Sequence, residues 1–328
     1  MLLRSTMLLL FIGVATCANT QVMNSRPVVN KEILFASDTQ APMWVETLWL
    51  KQNNNRTATK SIFDNIISRN PESVYLLGDV VSLGYSNRQW KPIDGYLQRL
   101  RSEGVKVCAA LGNHEVLGKS GKGQKKFQQR FPEHNKTGFV DVSDSVAVIL
   151  LNSNFRSLSA AEDAAQIEWY KQKLQQLDAD PSIQFIITGC HHSPYSNSKI
   201  VGSSMSVRQK FVPLFLSSQK SRLFLSGHSH NFEHFHQQGK DFFVIGGGGG
   251  LHQPLKSGAN TLTDLSASYK PLFHYLSIQR TSDQLNVSSI WLNPDFTGFK
   301  EGAKFTINKA AANPLNIATI SKVLPVIL

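Results

Sequence analysis

Several apolar runs in this chain end on side chains that can hold a cation. "ILFASD" ends at Asp38 and "VYLLGD" at Asp79, while "CAALGNHE" supplies Asn113 and His114. "FIITGCHH" ends on His191 and His192, and "LFLSGHSH" on His228 and His230. A lone aspartate or histidine after a strand is usually a turn or cap residue, but five runs ending this way make coincidence a poor account. Carboxylate, amide oxygen and imidazole together suit a hard or borderline divalent or trivalent ion, and the lack of paired cysteines excludes a structural zinc finger. Two ions held together need a bridging carboxylate, for which Asp79 is placed, and such a pair activates water and clamps a phosphoryl group.

The elements that must bring these residues together show in the periodicity. "EILFAS", "SVYLLGD" and "VKVCAALGNHE" read as strands, with helices between them at "TKSIFDNIISRN" and "WKPIDGYLQRLRSEG". "DSVAVILLNSN" is a further buried strand. Behind it Ser159 and Glu162 form a capping box at the head of the helix "SAAEDAAQIEWYKQKLQQLDAD". Strands at "IQFIITG", "RLFLSG", "DFFVIGG", "FHYLSIQR" and "QLNVSSIWL" follow, the last few without helices between them, so the late part is expected to be antiparallel. The order is that of an α/β fold, in which sites form outside the carboxyl ends of the strands. One domain is expected from Val28 to Asn293; residues 294–328 show no clear period.

The N-terminus has the layout of a secretory signal peptide over residues 1–18: Arg4, an apolar stretch from Met7 to Ala15, then small residues. Export to the outside or a periplasm is therefore expected. "VATC" ending at Cys17 weakly resembles a bacterial lipobox, so lipid anchoring to the envelope is the alternative and the one route to a membrane. Past the leader only Cys108 and Cys190 remain, enough for a single bridge and too few for a disulfide framework. The formal net charge of +11, locally concentrated in "GKSGKGQKKFQQR" at 118–130, suits a phosphorylated small molecule or a polyanion, or is a solvated basic face; no obligate protein partner is indicated. Nothing resembles a nucleic-acid-binding module, with neither a helix-turn-helix nor a stacking platform evident.

The ordered set "SD…GD…GNHE…HH…GHSH" resembles the calcineurin-like metallophosphoesterase superfamily, which includes the purple acid phosphatases, over about 33–250. The helix "AEDAAQIEWYKQKL", the segment "GHSHNFEHF" and the glycines after "FFVI" are similar to that superfamily too. The resemblance implies a four-layer αββα sandwich of two mixed β-sheets flanked by helices, with two metal ions at the strand ends. One ion would take Asp38, Gln40, Asp79 and His230. The other would take Asp79, Asn113, His228 and one of His191 and His192, the former favoured because it follows the strand immediately. His114 would contact the phosphate or protonate the leaving oxygen, Glu115 would orient a neighbouring histidine, and His192 would serve the ligands or the substrate. His234 and His236 are expected at the surface or behind the ligands.

Two departures bear on the chemistry implied. The first motif is usually Asp-x-His but here reads "DTQ", so Gln40 makes the first site harder and weaker, favouring iron, manganese or calcium over zinc. Ser82 stands where purple acid phosphatases carry a tyrosine ligand, and Tyr85 lies too far along to replace it, so no tyrosinate-iron colour is expected. The expected activity is hydrolysis of phosphate monoesters by metal-activated water. The alternatives are a phosphodiesterase or nuclease at the same site, or a member that binds metal or anion without catalysis.

Overall fold

Alternation along the strands decides the layering. In the computed structural model, which describes residues 32–134 and 138–309, strand β1 (Ile33–Ala36) sends Leu34 and Ala36 into one core and Ile33 and Phe35 into another. The leader with Cys17, the domain start at Val28 and residues 310–328 lie outside the described residues. β2 (Ser73–Leu76) and β3 (Lys106–Ala109) run parallel to β1 and alternate in the same way. The outward side chains pack on helices α1 (Asn55–Arg69) and α2 (Asn87–Ser102), through Ile62, Phe63 and Ile66 of the first and Trp90, Ile93 and Leu97 of the second. α3 (Asn113–Val116) and α4 (Ser120–Gln128) follow β3.

The second sheet uses the same device. β4 (Gly138–Ser143) pairs antiparallel with β5 (Val146–Leu151), which runs parallel to β6 (Phe185–Cys190). Between β5 and β6 lies α5 (Ala160–Ala179), started by the capping box expected at Ser159 and Glu162. The short helices α6 (Met205–Lys210) and α7 (Val212–Ser217) lead to β7 (Ser221–Ser226). β8 (Phe232–Gln237) and β9 (Lys240–Ile245) are an antiparallel pair that sets β9 parallel to β7. The chain then returns to the first sheet as β10 (His274–Arg280), β11 (Gln284–Leu292) and β12 (Phe299–Asn308), an antiparallel run joined to β1.

The sheet orders are β12-β11-β10-β1-β2-β3 and β4-β5-β6-β7-β9-β8. One core, with Phe35, Tyr75, Leu150, Ile187, Leu225 and Leu276, takes side chains from both sheets and is the layer between them. A second, with Ile149, Tyr170, Leu174, Phe211 and Phe215, lies between the other sheet and α5 to α7. Helix, sheet, sheet and helix thus stack as the expected four-layer α/β sandwich. Cys108 and Cys190 are buried in different cores as free thiols, so the possible bridge is not formed.

Candidate metal centre

The five strands with candidate ligands, β1, β2, β3, β6 and β7, all present their carboxyl ends to one place. Tight turns make this possible: Asp38, Asp79 and His228 have φ of 59°, 48° and 65°, the left-handed region that non-glycine residues seldom adopt. The backbones also approach too closely for larger residues. A Cβ on Gly112 would sit 2.2 Å from Asp79 Oδ1, and one on Gly227 would sit 2.3 Å from Asp38 Oδ2.

Two neighbouring groups result. In the first, His230 Nε2 lies 3.4 Å from Asp38 Oδ1, while His230 Nδ1 donates to the Leu251 carbonyl at 2.7 Å. Gln40 is buried beside them. Its amide satisfies both atoms when the nitrogen donates to the Asp38 and Asp79 carbonyls at 3.1 and 2.7 Å, which turns the oxygen toward His230 Nε2, 3.3 Å away. The Asp38 carboxylate also accepts from the His228 amide, at 3.1 and 3.0 Å.

In the second group, His191 Nε2 meets Asp79 Oδ2 at 3.0 Å, Asn113 Oδ1 at 2.9 Å and His228 Nδ1 at 3.1 Å. Its other nitrogen, Nδ1, donates to the Leu77 carbonyl at 3.0 Å. A proton on Nε2 can satisfy one of the three facing acceptors; a cation can take a lone pair from all four atoms. The donor set therefore fits a metal ion, and one ligand atom each from Asp79, His191 and His228 lies within 4.8 Å of the others. Of the adjacent histidines, His191 is the one that enters this group. His192 bonds Ser153 Oγ through Nδ1 at 2.8 Å and stacks obliquely on His228, with ring centres 4.5 Å apart.

The charges respond to this crowding. Burial works against ionisation of Asp79, but His191 and His114 outweigh it and hold the carboxyl far below the carboxylate range. Burial likewise opposes a charge on His191, yet Asp79 pushes its pKa up to about 9. His228 is held well below the imidazole range by burial and by His192 and His191, and His192 is lowered to about 3 by burial and His191.

His114 stands beside the second group. Its backbone N–H donates to Asp79 Oδ1 at 2.8 Å, and its Nδ1 lies 3.0 Å from the Ser82 carbonyl, to which it donates. Nε2 is left near Asp79 Oδ2 at 3.8 Å and Glu46 Oε1 at 4.0 Å. Burial opposes its charge, but Asp79, the Ser82 carbonyl and Glu46 raise its pKa. Glu46, in the turn after β1, was missed by sequence reasoning: the stretch has no period and no motif to mark it.

Glu115 does not orient a histidine as expected. Its carboxylate accepts from the amides of Asp79 and Gly112, both at 2.9 Å, and of Val81 at 3.0 Å, so it ties the turn after β2 to the turn after β3. Burial and the Asp79 charge raise its pKa to about 7. His234 and His236 lie outside both groups, on β8, and both bond Asp241 Oδ1, at 2.8 and 3.0 Å. His236 is exposed, whereas His234 is buried, stacked 4.1 Å from the Phe243 ring. Three of the five basic residues of 118–130 have partners of their own: Arg130 pairs with Asp94 and covers Trp90, Lys126 bonds Asn87, and Lys119 lies over Tyr85.

Solved structures share this architecture. Purple acid phosphatase PPD1 from yellow lupin (Lupinus luteus) matches with a TM-score of 0.65 at 17% identity, over 85% of this chain and 53% of its own, so the present chain spans about half of that enzyme. GAP50, described as the anchor in the inner membrane complex of Plasmodium, matches with 0.59 at 16% identity, over 85% of this chain and 89% of its own. A dimetal phosphatase from Danio rerio matches with 0.53 at 13% identity, over 85% and 98%. At such identities the likeness is one of fold, and no curated protein matches in sequence. The profile of the calcineurin-like phosphoesterases, however, matches residues 31–232, a stretch that runs from β1 through both ligand groups to the start of β8. With that match over most of the chain, and with its acidic, amide and imidazole side chains gathered at the ends of β1, β2, β3, β6 and β7, the protein belongs to the calcineurin-like phosphoesterase family.

Proposed function

We propose that this protein is an exported phosphomonoesterase that works with two metal ions. The observation that carries the reading is His191 Nε2, which faces Asp79, Asn113 and His228 while its other nitrogen is committed to the Leu77 carbonyl. Asp79, Asn113, His191 and His228 would hold one ion, and Asp38, Gln40 and His230, with Asp79 as bridge, the other. Ions bound there supply a water of lowered pKa and a counter-charge for the phosphoryl oxygens. Harder ions such as iron, manganese or calcium suit the Gln40 oxygen, with zinc less favoured.

The chain's own residues do the rest. Asp79 holds the His114 amide, and the Ser82 carbonyl accepts from Nδ1, so Nε2 faces the site and in the imidazolium form carries the proton available to a leaving oxygen. Burial of Asp38, Asp79, His191 and His230 strengthens the electrostatic contacts among them, while Asn113 and His228 are half-buried where the cavities open. The leader expected at 1–18 supports export, with Cys17 lipidation as the alternative.

Two other readings have an observation each. A diesterase is favoured by a cavity of about 570 Å3 of mixed lining that opens on Asn113 beside Ser153, Asn154, Arg156 and His192, with room for a second ester arm. A metal- or anion-binding member without catalysis is favoured by Gln40 and by the likeness to GAP50, an anchor. The test is hydrolysis of an aryl phosphate monoester and the matching diester with added manganese, iron, zinc or calcium. Turnover of the monoester that is lost in a folded Asp79→Asn variant is expected. Full activity of that variant would reject the assignment, and silence of the native protein toward both esters with every metal would favour the binding member.

A further inference from the structure

The candidate metal centre opens on two unlike cavities. One, of about 410 Å3, takes in Asp79, His114 and His228 and is walled by Val45, Trp49, Leu50, Ile200 and Val201. No lysine or arginine lines it among the described residues. The other, beside Ser153 and Arg156, is the more polar of the two, although Val116, Leu117 and Phe155 also line it. Asn113 borders both, but His114 lines only the apolar one and His192 only the polar one.

That division has a chemical meaning. The leaving oxygen must lie next to its proton donor, so if His114 supplies the proton, the leaving alcohol occupies the His114 side. The walls there are apolar and open: Trp49 is 74% and Ile200 52% exposed, and in the same turn Trp44 and Leu48 are 77% and 63% exposed. Large apolar side chains gathered around a cleft in this way mark a binding surface. An anionic alcohol half would meet the Glu46 carboxylate, and a polyhydroxylated one would lose its water against these side chains with only Glu46 and Gln253 to bond beyond the site itself.

We propose that the substrate's alcohol half is an uncharged apolar group, alkyl or aryl, seated against Trp49, Leu50 and Ile200; the phosphate end of this inference rests on the phosphoesterase reading above. In the reaction a water oxygen bonds phosphorus and gives one proton to solvent. The ester P–O bond breaks with its electron pair going to the alcohol oxygen, and that oxygen takes the His114 proton, which His114 regains from solvent. Inorganic phosphate and an apolar alcohol leave.

The test uses the whole protein supplemented with Mn2+ and the series ethyl, butyl and hexyl phosphonate, whose binding is measured by calorimetry, alongside kcat/KM for the matching alkyl phosphates. The alcohols of the phosphate series have nearly equal pKa, so chain length reports the cavity. Affinity and kcat/KM are expected to rise roughly two- to fourfold per added methylene. Trp49→Ala, and independently Ile200→Ser, should each cut the hexyl-to-ethyl ratio by about tenfold, as loss of a few buried methylene contacts implies. Both positions are exposed, so folding is spared. Ethyl phosphate turnover without any dependence on length overturns this inference and leaves the phosphoesterase reading standing. Length-dependent phosphonate binding with no turnover keeps the apolar seat and overturns that reading, and no binding by any member overturns both. A flat series together with sedimentation on anionic vesicles that Trp44→Ala and Trp49→Ala abolish would assign the apolar rim to a lipid surface instead, and would also overturn the inference.

Discussion

His191 concentrates the chemistry of the site in one ring. With its pKa pushed up to about 9 by Asp79, the ion-free ring holds a proton below that pH, and an entering metal must displace it. Metal affinity is therefore expected to rise with pH up to about 9, which competition with a chelator at two pH values would show; equal affinity at both would remove His191 from the ligand set. His114 is raised in the same field, and in the proposed reaction it acts in its protonated form. The rate should fall as pH climbs through a value above the ordinary imidazole range, and His114→Ala should lower kcat for alkyl phosphates by about 10²–10⁴ and abolish that alkaline limb. At this scale the sequence is unusually legible, because Asp38, Asp79, Asn113, His191, His228 and His230 each stand at the end of an apolar run. Glu46, Trp49 and Ile200 are not legible: the first two open and cap a single 3-10 turn and the third lies in a bend, stretches too short for a period or motif to mark a residue, and only the folded chain brings them to the proposed ligands.

Between elements, Glu115 joins two turns by accepting three backbone N–H groups. Glu115→Ala would orphan all three at roughly 1 kcal/mol or more each, so a loss of about 3 kcal/mol is expected in urea unfolding; a loss below about 1 kcal/mol would show that water replaces the carboxylate. Gly227→Ala should weaken both folding and metal binding, since the new methyl would meet the buried Ser37 hydroxyl at 1.9 Å and the Asp38 carboxylate at 2.3 Å, and a chelator titration beside urea unfolding reads the two losses separately. The buried strands and amphipathic helices are readable because each places its apolar side chains at a fixed period. β12 is not: it is a sheet edge in which Lys300 and Glu301 both face out where the register with β11 shifts, so only Ala303, Phe305 and Ile307 alternate toward the core, too short a run to mark a strand. The pairing of β8 with β9 also explains how β9 can run parallel to β7 with no helix before it.

For the whole molecule, the proposed ligands divide by layer: Asp38, Gln40, Asp79 and Asn113 follow strands of the first sheet, and His191, His228 and His230 follow strands of the second. Bound ions would tie the sheets together across their shared core. Saturation at about 100 times Kd should then add ~2.7 kcal/mol to stability, seen as a rise in Tm that a chelator reverses; an unchanged Tm would mean the ions bind the unfolded chain as well. The same division lets the site report on assembly. A chain cut between β3 and β4 separates Asp38, Asp79 and Asn113 from every histidine ligand, so neither fragment alone carries a complete donor set for either ion. The proposed phosphatase activity, if it returned when the two fragments were mixed, would count correctly reassembled molecules and make the protein a split reporter for whatever protein pair is fused to its halves.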